Sequence, residues 1–194
     1  MSDQTIDPLE NLRRLLTMVD THSKRVTDKH SDQMRCQSGC TACCRQQLSV
    51  ARAEAHHILS WLLDNGVPDQ DPAPTAIDQH PLFDALSGQA PCVFLGPEGK
   101  CGIYPVRPII CRTHGLPIDL EDDRVDTCPL NFDDGDASAV PQSDRLNLKA
   151  LNTRVALIES IFCQQTGQQT SGRFELAELR RIALKMLSDA QTTH

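Results

Sequence analysis

Four thiols fall within nine residues at Cys36-Gln37-Ser38-Gly39-Cys40-Thr41-Ala42-Cys43-Cys44. A second group follows at Cys92, Cys101, Cys111 and Cys128, so eight of the 9 cysteines lie between positions 36 and 128. Thiolates bind soft metals, and a site needs several sulfurs converging on one point. Gly39, with the small Ser38, Thr41 and Ala42, lets the first run wrap around such a point. Cys43 and Cys44 are adjacent, and adjacent side chains diverge in helix or strand. They are therefore not expected to share one mononuclear metal: one of them faces a second metal, bridges two metals or stays free.

Cys36, Cys40 and Cys43 have the C-x3-C-x2-C spacing with which radical enzymes using S-adenosylmethionine hold three irons of a [4Fe–4S] cluster. The resemblance stops at the spacing, because those enzymes need a parallel barrel of strands and this chain carries mostly helical stripes. Zinc is the alternative, since eight thiols make two four-cysteine sites with none left over. The paired C-x2-C knuckles of zinc ribbons are nevertheless missing, Cys40 and Cys43 being the single such pair. Either metal leaves a negatively charged thiolate cluster that calls for cationic or hydrogen-bonding neighbours. Arg107 and Arg112, which flank Cys111, are the cofactor-binding candidates, unless they pair instead with the acidic stretch from Asp119 to Asp126. His114 could stand in for a cysteine ligand. His22 reads as a packed neighbour, and His56 and His57 as a polar helix edge. Asp133-Asp134-Gly135-Asp136 lacks the closing glutamate of a calcium loop and reads as solvated. Cys163 is remote from the clusters and reads as a small buried hydrophobe outside the metal site.

The elements that must hold these thiols are mainly helical. Asp7-Pro8 starts a helix expected to run to about His30, with Leu9, Leu12, Leu16 and Val19 as its stripe. A second helix, from Ala51 to Asn65, buries Ala55, Ile58, Leu59, Leu62 and Leu63, with Trp61 at the edge, and stops at Gly66. The Pro-rich stretch from Val67 to Pro74 reads as a loop, and Pro81 to Leu86 as a short helix. Gly96-Pro97-Glu98-Gly99-Lys100 reads as the turn of a hairpin, with Cys101 at its base, where backbone amides can point at sulfur. Pro108 is placed to start one helical turn carrying Cys111. Ser143 is expected to cap a long helix with Leu148, Leu151, Val155, Ile158 and Phe162 on one face, ending near Gly167. A last helix is expected from Phe174 to Asp189, with Leu176, Leu179, Ala183 and Met186.

The expected architecture is one mainly α domain over residues 1–194, its helices packed around a loop-rich, metal-organised cysteine core at about 36–130 with a short β-hairpin. The N-terminal helix (8–30) and the C-terminal helices (143–189) pack on that core. Aromatics make up only 4% of the chain, and the middle is rich in Pro, Gly and Cys, so bound metal is expected to supply part of the folding free energy. No apolar run is long enough to span a membrane, and the N-terminus has no signal-like pattern, which predicts a cytoplasmic protein. In a reducing compartment nine cysteines point to metal rather than disulfides. The net charge of −7 and the lack of a basic stripe argue against nucleic acid as a partner. No dinucleotide or phosphate loop and no catalytic triad appears, and the sequence names no substrate, protein partner or oligomeric state.

Three blocks in order carry a family resemblance: Cys36-x3-Cys40-x2-Cys43-Cys44, then Pro91-Cys92-x-Phe94-Leu95, then Gly99-Lys100-Cys101-x-Ile103-Tyr104-x-x-Arg107-Pro108-x-x-Cys111-Arg112. They resemble the YkgJ-type cysteine-cluster family, also called CxxCxxCC, a zinc- or iron-chelating domain, over about positions 36 to 130. The first gap is three residues here where the family also has two, Thr113 stands where the family often has an aromatic, and the last cysteine is displaced to Cys128. The resemblance implies metal binding. The metal ligands expected from the residues are Cys36, Cys40, Cys43, Cys44, Cys92, Cys101, Cys111 and Cys128, holding an iron–sulfur cluster of the [4Fe–4S] type in preference to zinc, with a redox, maturation or protein-modification role. Flagellin lysine N-methylases resemble the family in their cysteine run and are associated with an iron–sulfur cluster. They are much longer proteins.

Overall fold

The computed structural model describes residues 6–36, 39–69, 90–120, 124–132, 136–170 and 172–192. At 56% helix it is mainly α, which places the fold in the class read from the helical stripes, and its few strands are short. Its contacts fall into two compact units: residues 1–36 with 109–170, and residues 37–108 with 171–194.

In unit 1, helix α1 runs over Pro8–Lys29. Asp7 caps it by accepting hydrogen bonds from the Leu9 and Glu10 amides at 2.9 and 3.2 Å, which satisfies donors the first helical turn would otherwise leave unpaired. Its buried face, Leu12, Leu15, Leu16, Val19 and Val26, packs in part on helix α4, Leu148–Thr166. Helix α4 buries Leu151, Ile158 and Phe162 as the stripe predicts, and Gly167, with φ at 68°, ends it in the left-handed conformation. Its start differs from the expectation. Ser143 lies in a 3-10 turn, Gln142–Asp144, and the cap is Asn147, whose side chain accepts from the Ala150 amide at 2.8 Å. A short helix, α3 (Ile109–Thr113), carries Cys111 and packs on α1. Strands β2 (Ile118–Asp119), β3 (Val125–Asp126) and β4 (Leu146–Asn147) form a sheet of order β3-β2-β4, antiparallel then parallel. Two-residue strands leave no alternation to read, which is why the sequence does not announce this sheet.

In unit 2, strand β1 (Ser49–Ala51) leads directly into helix α2 (Arg52–Asn65), and strand β5 (Arg173–Glu175) leads directly into helix α5 (Leu176–Thr192). The strands pair antiparallel with Val50 opposite Phe174, so residues 120 or more apart in sequence close the unit. The helical stripe predicts that Phe174 begins the last helix. A strand takes it instead, because its aromatic ring packs beside the core that includes Val50, Leu176 and Leu179. Met186, expected on the buried face, is 48% exposed. The core joins Ile58 and Leu62 of α2 to Leu179 and Ala183 of α5, with Phe94, Ile103 and Val106 from the cysteine-bearing loops. The hairpin at 95–101 is reduced to one bridge, Leu95 with Cys101, closed by the Gly96 amide on the Lys100 carbonyl at 2.8 Å. Gly99, with φ at 71°, supplies the positive dihedral the turn needs.

The short helix expected at Pro81 to Leu86, most of the loop from Val67 to Pro74, and Asp133 to Gly135 lie outside the described residues. Among the described residues no helix is long and apolar enough to cross a membrane.

Candidate metal centre

Each unit holds its own group of thiols. In unit 2, Cys43 and Cys44 sit on a 3-10 turn, Ala42–Arg45, where successive side chains point about 120° apart. The turn is tied to the second block by the Cys92 amide, which donates to the Cys44 carbonyl at 2.7 Å. Burial pushes the Cys92 thiol up from its ordinary value, the Phe94 amide pulls it down, and the Cys101 and Cys43 sulfurs push it up again. Burial likewise raises Cys101, while the Ile103 amide and the Arg107 guanidinium oppose it and Cys43 adds to it. Cys43, Cys92 and Cys101 are thus in electrostatic reach of one another, and the Phe94 and Ile103 amides favour the thiolate forms of Cys92 and Cys101. Cys40 lies in the same unit, just before the turn.

The divergence expected of Cys43 and Cys44 follows from that turn. Cys43 bears on the other sulfurs, whereas Cys44 meets Cys92 through its carbonyl. Arg107 stacks on the Tyr104 ring at 3.8 Å and stands beside Cys101. Arg45, adjacent to Cys44 and buried, is absent from the candidates read in the sequence, although a cation directly following two thiols was there to be read.

In unit 1, Cys36 and Cys128 are hydrogen-bonded, and that bond is the chief reason the Cys36 thiol falls to about 6, against the opposing effect of burial and with help from Asn131. Cys111 is carried by α3, and next to it Arg112 is buried and pairs with Asp20 of α1. The His114 ring meets the Ile110 carbonyl through Nδ1 at 2.6 Å. None of the nine cysteines is in a disulfide. Among the described residues no three Cys, His, Asp or Glu side chains stand at metal-ligand spacing.

The donors gathered in both units are sulfurs, a set that suits zinc or iron–sulfur chemistry and not magnesium or calcium. Residues 35–129 match the family described as "Putative zinc- or iron-chelating domain", CxxCxxCC. This segment is similar to the CxxCxxCC domain. The match spans all eight clustered cysteines and stops short of Cys163. No curated protein and no solved structure matches the chain. Metal binding is thus supported for the CxxCxxCC segment as a whole.

Cys163 is 1% exposed on α4, its sulfur near Glu159 at 3.5 Å and the Gln169 carbonyl at 3.7 Å. Cys163→Ser is expected to leave metal content and spectrum unchanged and to cost about 1 kcal/mol of stability. Loss of metal on a scale matching the loss from a clustered cysteine, read by elemental analysis, would put Cys163 in the ligand set.

Proposed function

We propose that the CxxCxxCC segment holds an iron–sulfur centre, of the [4Fe–4S] type, and serves a redox, maturation or protein-modification role. The observation that carries this reading is the family match over residues 35–129, which spans all eight clustered cysteines, with Cys43, Cys92 and Cys101 in electrostatic reach of one another in unit 2. Amide-to-sulfur hydrogen bonds favour the charged thiolate and are among the levers that set cluster potentials. Cys40 completes a set of four in that unit. Cys36, Cys111 and Cys128 are the further ligands, in unit 1, and Cys44 is the sulfur left to a second metal or to none. Such a centre supplies one-electron transfer when bound. Arg107 offsets the negative charge of the Cys101 thiolate, and Phe94 and Ile103 lie in the apolar core against which Cys92 and Cys101 pack. A reducing compartment such as the cytoplasm suits a chain whose clustered cysteines serve as metal ligands.

Anaerobic purification followed by iron, zinc and acid-labile sulfide analysis tests the reading. Iron and sulfide in near-equal amounts, with visible charge-transfer absorbance that bleaches on reduction, are expected. Zinc alone, without sulfide or colour, would end the iron–sulfur reading and leave a non-catalytic module in which zinc replaces missing core.

A further inference from the structure

Asn131 is 0% exposed, and a buried carboxamide must find partners for both its oxygen and its two N–H groups. Its Oδ1 accepts from the Arg35 amide at 2.7 Å, and its Nδ2 donates to the Gly115 carbonyl at 2.8 Å and to the Cys36 sulfur at 3.4 Å. The Arg35 N–H fixes which end of the amide is oxygen, so the end facing Cys36 is the donor. The surroundings hold this arrangement from three directions. The Asn131 amide closes a turn on the Cys128 carbonyl at 2.9 Å, the Phe132 amide binds the Gln33 carbonyl at 2.8 Å, and the Thr127 hydroxyl donates to the same Gly115 carbonyl at 3.0 Å. Gly115, with φ at 85°, leaves the room the sulfur takes, since a Cβ there would collide with Cys36 Sγ.

We propose that Asn131 is a positioning residue for the metal centre, which with Gly115 forms a cradle that fixes Cys36 as a metal ligand through an amide-to-sulfur hydrogen bond. Cys36 opens the first cysteine run, so wrapping of the backbone alone does not hold it. Lone donors to a ligand atom commonly govern metal affinity by one to two orders of magnitude. The inference rests on the metal-binding reading but assigns a role to a residue that is itself no ligand.

The test uses the full-length chain stripped of metal, with zinc(II) as the probe and a chromophoric chelator as competitor. Asn131→Ala is expected to weaken zinc binding about tenfold or more, while Asn131→Ala added to Cys36→Ser weakens it no further than Cys36→Ser alone. That non-additivity is a readout that a merely structural asparagine would not produce. Unchanged affinity in Asn131→Ala, or a further loss in the double variant, overturns the proposal. Should Asn131→Ala not fold, Asn131→Ser, whose hydroxyl can still meet the Arg35 amide, is read against the same criteria. A wild-type chain that takes up no zinc and carries no iron overturns the metal-binding reading itself and this inference with it. Wild-type binding alongside an unaffected Asn131→Ala overturns only the cradle.

Discussion

Cys101→Ser is expected to weaken metal binding at least about a hundredfold, beyond what loss of an outer-shell partner costs. Cys101 stands at the base of the 96–100 turn, in reach of Cys43 and Cys92, with the Ile103 amide on its sulfur and Arg107 beside it. Serine keeps the backbone bridge to Leu95 and the turn bond between Gly96 and Lys100, so the local chain path survives and the lost sulfur is isolated as the cause. Because metal binding is coupled to folding, hydrogen exchange across 92–106 should accelerate in this variant and in chelated wild type. Cys44→Ser is the control. The 3-10 turn points its side chain away from that of Cys43, so it should keep most of the metal. A Cys101→Ser chain that elutes from a desalting column with its full metal complement would sink the assignment.

The class of fold and the thiols worth watching were legible because they rest on local rules. Asp7-Pro8 announces a capped helix, Gly66 and Gly167 mark helix ends, and two glycines around Pro97-Glu98 announce a turn. What could not be read depends on partners distant in sequence. Phe174 has the same local surroundings whether it enters α5 or pairs with Val50, and only the Val50 strand decides. The stretch from Asp64 to Pro141 has too few apolar residues to close a core alone, and its Phe94, Ile103 and Val106 are buried with residues of α2 and α5, which the stretch itself does not announce. Asn131 shows the same limit at the site: its role comes from Arg35, Gly115 and Cys36, each reached from a different part of the chain.

Asp144→Asn is expected to cost about 2 kcal/mol, lowering the thermal midpoint by about 5 °C. The Asp144 carboxylate is 0% exposed and receives Arg25 at 2.5 Å, Lys29 at 2.6 Å and His30 at 3.0 Å, all from the end of α1. Lys29 first, then His30 and Arg25, hold its carboxyl well below the ordinary value of 3.8. The carboxylate is covered by those side chains themselves, and Arg25 and Lys29 are half-exposed, so the group is a surface acid sealed by its partners and the full cost of breaking a buried pair is discounted. A carboxyl whose pKa is depressed on folding contributes stability that is fully present above its unfolded value and is lost as pH falls below it. Wild-type unit 1 should therefore hold its stability from neutral pH down to about 4 and lose it on further acidification. The substituted asparagine cannot ionise, so the variant should already be weakened at pH 7 and show a shallower decline below about pH 4 in urea-unfolding midpoints. Parallel acid profiles for the two chains would mean that the Lys29, His30 and Arg25 contacts contribute nothing to holding α1 against the turn before β4.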